Sequence, residues 1–485
     1  MMRLRSLCVV ASLLMPAGAG AQQPALRLTL PEAVARAQSQ GLTARAAKAT
    51  RDAARQRDRA FGAGLLPQVS MNGTVPSYNR SIIPVVQPDG STLYRPQEQN
   101  ESSLNMGITQ RLPFIGGDLF VNSSLSRLDR VGTTSSRTFS STPMLVGIRQ
   151  DLFRPNRLRW DSQVQELSAE VAERAYSEAM EEVAIQAANA FFDYYTAKLA
   201  LENAVTNTAV NDTLFTLNKG RFEVGKIGEN DLLQSELALL RASVALDGAR
   251  LEHDRTLAAL RLALDLPTGS PLEIVVPTEV PEVAADTAVA VAQALRNRAS
   301  MLDLELQDVQ VRRRVAEARF GTGVGMTLQA SMGFNQTAPE INDAYRDLRE
   351  AQRLNLALSM PLVQWGGRSA SIQAARLDEQ RVGHTSRQAR EQTAQEAHFA
   401  ALGLAQSRRS LAIAAKADTV GAKRFDVAKN RYVIGRIGMD NLYQAQSEKD
   451  AALNGYLQAL RNYWVAFYRL RRATMYDFVA GAAIR

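Results

Sequence analysis

The chain contains its own second copy. Lys219-Gly-Arg-Phe-Glu-Val-Gly-Lys-Ile-Gly-Glu-Asn-Asp-Leu-Leu-Gln234 recurs as Lys429-Asn-Arg-Tyr-Val-Ile-Gly-Arg-Ile-Gly-Met-Asp-Asn-Leu-Tyr-Gln444. Weaker echoes join Phe61-Gly62 to Phe320-Gly321 and Leu112–Gly117 to Leu362–Gly367. Internal repetition forces the two halves toward the same supersecondary unit, so any fold must be buildable twice. The halves meet between Pro267 and Pro281, a segment with four prolines that cannot continue a helix.

Each half changes period along its length. Residues 30–62 have helical spacing, with Thr29 as N-cap and Pro31 in the first turn. Alternation then takes over, within strands between about 67 and 152. Leu104, Met106 and Ile108 oppose Ser103, Asn105 and Thr109, and Val146 and Ile148 oppose Gly147 and Arg149. In the second half, about 325 to 362, Met326, Leu328 and Met332 oppose Thr327, Gln329 and Ser331. Period two with one apolar and one small-polar face describes a half-buried strand. A soluble sandwich alternates equally well. Polar faces of Ser, Thr, Asn and Gln, and strand lengths of about 9–11 residues, fit a tilted strand of a membrane barrel with a wet lumen better. Phe114, Phe153 and Trp365 fall near the Gly turns, where an interfacial aromatic girdle belongs.

The helices repeat an arithmetic. After Pro155 a run of about 65 residues to Lys219 spans roughly 100 Å. Its positions Trp160, Val164, Leu167 and Val171 form a coiled-coil seam. The tip 220–230 and the helix 231–265 follow, and 30–62 plus 231–265 match the long run in length. The second half repeats this with helices 288–320, 368–430 and 439–474 around a tip at 431–438, and a tail over 476–485. Residues 266–287 form the linker between the halves. Because helices enter and leave the strands on one side, each half supplies an even number of strands. Four fit before Pro155 and two after Gly325.

Composition narrows the function. Arg3 and Arg5, the apolar Leu7–Met15 and Ala19-Gly20-Ala21 read as an export signal over residues 1–21. The only cysteine, Cys8, lies inside it, so the mature chain has neither disulfide nor thiol chemistry. Later residues offer no apolar stretch of ~18 residues for a membrane helix. The net charge of +8 is interspersed along the helices, which predicts a solvated surface and no nucleic-acid partner. His253, His384 and His398 stand singly, without metal-ligand spacing. Gly321-Thr-Gly-Val-Gly325 lies in the wrong helix–strand order for a phosphate loop. No enzyme, cofactor or metal is expected.

On Leu28-Thr-Leu-Pro-Glu-Ala-Val34, Leu65-Leu-Pro-Gln-Val69, Met360-Pro-Leu-Val-Gln-Trp-Gly-Gly-Arg368 and the paired Arg-[Phe/Tyr]-x-[Val/Ile]-Gly turns, the chain resembles the outer-membrane efflux protein family, the TolC-like channels. The resemblance implies a mixed α plus transmembrane β fold. Its members are homotrimers with one shared barrel in outer-membrane lipid, a long helical periplasmic tunnel and a collar, here 266–287 with the tail. Substrate passes unchanged, delivered by an inner-membrane pump (RND, ABC or MFS type) through a periplasmic adaptor (membrane fusion) protein. The resemblance places adaptor docking at Val224, Gly225, Lys226 and Gly228, and at Ile434, Gly435, Arg436 and Gly438. It makes Arg221, Asp231, Arg431 and Asp440 candidates for a closed-state latch. Plain C-capping by the glycines and helix-dipole stabilisation by the acids account for the same residues. The usual protomer gives four strands, whereas six fit this chain. Either a trimer barrel has about eighteen strands, or one hairpin lies outside the wall. An exported coiled-coil scaffold without a pore is the alternative function.

Overall fold

The computed structural model describes residues 26–131, 135–277 and 280–485. The export signal and Cys8 lie outside them. The elements of the first half are β1 (Leu26–Thr29), α1 (Leu30–Gln40), α2 (Leu42–Gly64), β2 (Gln68–Val86), β3 (Thr92–Leu112), β4 (Gly117–Val131), β5 (Ser136–Leu152), α3 (Arg157–Glu223), α4 (Glu229–Ala263) and β6 (Leu272–Val275). The second half has α5 (Thr287–Asn297), α6 (Ala299–Gly321), β7 (Gly325–Ala338), β8 (Arg349–Ser359), α7 (Gly367–Val433), α8 (Met439–Thr474), β9 (Tyr476–Asp477) and β10 (Ala482–Ala483).

The duplication is now visible in helix lengths. The helices α1 and α5 have 11 residues each, α2 and α6 have 23, α3 and α7 have 67, and α4 and α8 have 35 and 36. The first half is longer only between α2 and α3, by one extra hairpin. Both α3 and α7 run about 100 Å at 1.5 Å per residue. No helix among the described residues is long and apolar enough to cross a membrane.

The structure corrects the reading of 30–62 and 288–320 as single helices. Gly41 (φ −58, ψ 144) and Arg298 (φ −66, ψ 139) each put one extended residue between two helices. A side chain at Gly41 would collide with the Ala37 carbonyl. At Arg298 the freed Ala299 N–H is taken by Glu178 Oε1 at 2.6 Å, and Glu396 accepts from the buried guanidinium at 2.5 Å. A single extended residue leaves apolar spacing on both sides nearly in phase, so periodicity does not reveal it.

The chain divides into two compact units. Unit 1 (Met1–Arg45, Val183–Glu282, Ser407–Val465) contains both helix-hairpin tips. Thr29 caps α1 in a reciprocal box: Glu32 N–H donates to Thr29 Oγ1, and Thr29 N–H donates to Glu32 Oε2 at 2.8 Å. Here β1 pairs in parallel with β6, Leu28 against Ile274. Leu30, Phe191, Leu260, Leu264 and Tyr463 are completely buried. The helix α4 ends in a left-handed Asp265 (φ 51), which Arg45 meets at 2.9 Å.

Unit 2 (Ala46–Glu182, Val283–Gln406, Ala466–Arg485) holds the sheet. Its six strands run β2-β3-β4-β5-β7-β8, every neighbouring pair antiparallel. All six form one continuous sheet, so the extra hairpin is built into it. Asn156 Nδ2 donates to the Pro113 carbonyl while its Oδ1 caps α3 through the Arg159 N–H. The β3–β4 turn is thereby fixed to the start of α3. At the other end of the sheet, Ser141 donates to the Ala344 carbonyl and closes the β7–β8 loop over the buried Ser141 side chain.

Candidate functional site

The sheet register sorts its side chains into two faces. Directly paired residues share a face, so Val69, Ile108, Val121, Val146 and Met332 form one apolar row. Leu119, Ile148, Ala330 and Leu354 form the next, and Leu152, Met326 and Leu358 the row nearest the helices. Val69, Met332, Leu354 and Leu358 are exposed, Met332 at 65% and Leu354 at 71%, whereas Val121, Val146, Ile148, Leu152 and Met326 are half-buried. The opposite face carries Gln68, Thr109, Phe120, Gly147, Ser331 and Arg353, then Arg111, Asp118, Arg149, Gln329 and Asn355. It is concave and encloses a cavity of about 600 Å³ lined by residues including Asn122, Arg149 and Gln329. The Phe120 ring lies across Gly147, where any Cβ would clash with it. The sheet is thus apolar on one face and polar on the other, the two-sided pattern of strands that stand between hydrocarbon and water.

The three aromatic residues predicted for an interface are exposed at the helix-proximal end of the sheet. Phe114 occupies the β3–β4 turn, Phe153 directly follows β5, and Trp365 precedes α7 with 95% of its surface free. Phe153 (φ 65) and Trp365 (φ 48) are held in the left-handed region. That conformation is costly for bulky residues, and it recurs here at corresponding strand-to-helix junctions of the two halves.

The tips are two copies of one turn. Gly225 (φ 68) donates to the Phe222 carbonyl at 2.8 Å, and Lys226 N–H reaches the Arg221 carbonyl at 2.8 Å. Gly435 (φ 75) and Arg436 repeat this on Tyr432 and Arg431, both at 2.9 Å. Both are Schellman caps, which require a glycine-like residue at Gly225 and Gly435. Gly228 and Gly438 differ. Neither has positive φ, and a Cβ on either would meet nothing within 4 Å. The turn therefore does not need them, and C-capping explains only half of the tip glycines. Beside them Val224 and Ile434 are 66% and 64% exposed, and Lys226 and Arg436 project with them.

The latch candidates do not meet one another within the chain. Arg221 stacks over Tyr432 at 5.4 Å and donates to the Val433 carbonyl at 3.4 Å. Asp440 accepts from Gln234 Nε2 at 2.7 Å. Asp231 and Arg431 enter no ion pair among the described residues, and Arg431 is exposed. The hairpins are instead joined by groups that spacing did not single out. Asn218 is fully buried and accepts from the Tyr432 hydroxyl at 2.9 Å, beside a core of Leu214, Phe425, Met439 and Leu442. Further along, Asp450 of α8 accepts from Asn203 at 2.8 Å and Asn207 at 2.9 Å, both on α3. Asparagines four apart inside a helical seam are the available sequence signal, since polar residues at core positions fix register.

The chain thus combines long helices in duplicated hairpins with one two-faced antiparallel sheet. The family model described as outer membrane efflux protein matches residues 97–265. Among curated proteins none matches the chain. Solved structures with the same fold include the Campylobacter jejuni CmeC outer membrane channel, 14% identical with TM-score 0.67, covering 92% of this chain and 85% of that one. The outer membrane protein VceC from Vibrio cholerae is 13% identical with TM-score 0.66, covering 94% and 97%. The open state of the Neisseria gonorrhoeae MtrE outer membrane channel is 16% identical with TM-score 0.62, covering 92% and 88%. The chain thus shares the fold of these outer membrane channels, and its residues 97–265 are similar to the outer membrane efflux protein family.

Proposed function

We propose that three copies of this chain close one barrel and form the passive exit duct of a tripartite efflux or type I secretion machine. The observation that carries this is the six-stranded sheet whose apolar face is bare in the single chain while its two edges, β2 and β8, are unpaired. An open edge and an uncovered apolar face are both costly in water. Pairing β2 of one copy with β8 of the next satisfies the edges, and lipid covers the face. A coiled-coil scaffold would leave both unexplained. Three times six strands gives eighteen, in the range where barrels enclose an open aqueous channel. The only cysteine, Cys8, falls in the proposed export signal, so introduced pairs report cleanly. Single cysteines scanned along β2 against one at Leu356 are expected to give a covalent trimer on oxidation. Dimers that never close to a trimer at any register would overturn the shared barrel.

The tip residues Val224, Gly225, Lys226 and Gly228, with Ile434, Gly435, Arg436 and Gly438, are assigned to docking a periplasmic adaptor protein. That adaptor connects the duct to an inner-membrane pump of the RND, ABC or MFS class, which supplies the energy. Two exposed apolar residues, each beside a cation and over an unobstructed glycine, support this assignment. Arg221, Asp231, Arg431 and Asp440 are assigned to holding the tips in the resting state, now together with Gln234. A photoreactive residue at Lys226 is expected to capture a periplasmic adaptor in cells. Capture of lipid alone, or of nothing while trimers form, would remove the tips from docking.

A further inference from the structure

The junction between sheet and helices contains a groove for which transport gives no reason. It lies within unit 2, between the start of α3, the end of α6 and the start of α7, and encloses about 710 Å³. Its walls are Phe153, Pro155, Trp160, Phe320 and Val324, and Arg154, Arg319 and Arg368 stand around it. None of these three arginines has a carboxylate partner among the described residues. Arg368 donates to the Arg319 carbonyl at 3.3 Å, and the Arg319 guanidinium sits 5.3 Å from the Phe320 ring centre. Two glycines give the cations room. A Cβ at Gly323 would come within 3.0 Å of the Arg368 guanidinium, and one at Gly325 would come equally close to Arg154. The Gly-rich segment thus has a local task besides bending the chain: it lets two guanidinium groups lie close against the backbone.

We propose that this groove binds one anionic phospholipid per chain, with the phosphate against the three guanidinium groups and an acyl chain along the aromatic wall. The inference rests on the membrane reading of the sheet. Charge complementarity selects an anion, because three cations without acidic partners surround the groove. The apolar wall selects a lipid over free phosphate, which would have no use for Phe153, Trp160 and Phe320. Position agrees. Phe153 follows Leu152, and Val324 precedes Met326 by two residues, so the groove continues from the last apolar row of the sheet. Phe153 is 64% exposed, its ring held out by a left-handed backbone. Interfacial arginines contribute about 1 kcal/mol each toward anionic headgroups.

The test uses the full-length protein in nanodiscs of equal phosphatidylglycerol and phosphatidylcholine, released and weighed by native mass spectrometry. Retained lipid is expected to be enriched in phosphatidylglycerol, up to one per chain. R319Q is expected to weaken its retention about fivefold. A316F, which fills the groove without touching charge, is expected to abolish it, so the result does not depend on one variant folding. Trimers that retain the two lipids equally, or an unchanged count in both variants, would overturn the lipid site while leaving the channel intact. Release of the lipid by millimolar inorganic phosphate alone would overturn the choice of lipid over phosphate. Absence of trimers would overturn the channel reading and this site with it.

Discussion

Replacing Arg471 by alanine is expected to cost about 3–5 kcal/mol, the range for stranding a buried charge, and to give the largest loss of stability of any single ion-pair substitution among the described residues. Glu181 on α3 keeps 4% of its side chain exposed and accepts both arms of the Arg471 guanidinium, Nε at 3.0 Å and NH2 at 3.1 Å. The third nitrogen donates to Asp477 at 2.6 Å. Asp477 also takes the N–H groups of Val479 and Ala480, and its strand pairs with β10. One guanidinium therefore joins α8, α3 and the C-terminal tail inside unit 2. Burial works against the charged Arg471, but Glu181 and Asp477 outweigh it and hold its pKa above the usual arginine value. R471A leaves Glu181 buried and unpaired, which is where the penalty arises. R471K keeps charge but loses the two-armed geometry and should fall between. R471M/E181L, which removes both charges, should recover much of the loss. The neighbouring Arg472–Glu182 pair, 3.1 Å apart but 39% and 41% exposed, supplies the control, expected to be worth at most about 1 kcal/mol. Thermal melting of the detergent-solubilised protein by circular dichroism reads all four variants against the parent. Equal melting of R471A and R472A would show that burial does not set the strength of these pairs.

These pairs also mark where the sequence stops being legible. The duplication, the long helices, the strand faces and the tip glycines are all periodic or repeated features, and the structure places them where spacing implies. Leu104, Met106 and Ile108 alternate because a pleated strand alternates, and no distant residue is needed to see it. The break at Arg298 is different. It depends on Glu178, far away in the chain, accepting from the Ala299 N–H that a continuous helix would have satisfied itself, and on Glu396 accepting from the Arg298 guanidinium. Likewise the Asn203–Asn207–Asp450 cluster exists only once α3 and α8 lie side by side. Within the tips, the resemblance makes Arg221 and Asp231 two of the four candidates for a latch. Arg221 instead finds the Tyr432 ring and Val433 carbonyl of the second hairpin, contacts that no local pattern encodes. Local geometry is written in local sequence, whereas polar partners across helices are chosen by packing.

The tips offer the sharper separation of function from stability. G438W and G228W are expected to leave the melting temperature unchanged while abolishing adaptor capture at Lys226 and reducing efflux to the level of cells lacking the channel. Gly228 and Gly438 have ordinary backbone geometry and open space at the Cβ position, so neither strain nor clash opposes a larger residue in the isolated protein. An indole there would instead cover the surface between the exposed Val224 and Lys226, or between Ile434 and Arg436, and hold off an approaching backbone. G225A and G435A should behave oppositely. Their φ values of 68 and 75 impose a left-handed strain of about 1–2 kcal/mol on any residue with a Cβ, while alanine adds almost nothing to the docking surface. Loss of stability with docking retained is expected for the alanines, and loss of docking with stability retained for the tryptophans. Two glycines three positions apart would then have two separate reasons, one closing the turn and one leaving room for a partner. Should G438W and G228W still capture adaptor and support efflux, the partner approaches elsewhere, and the exposed Val224 and Ile434 would need another explanation.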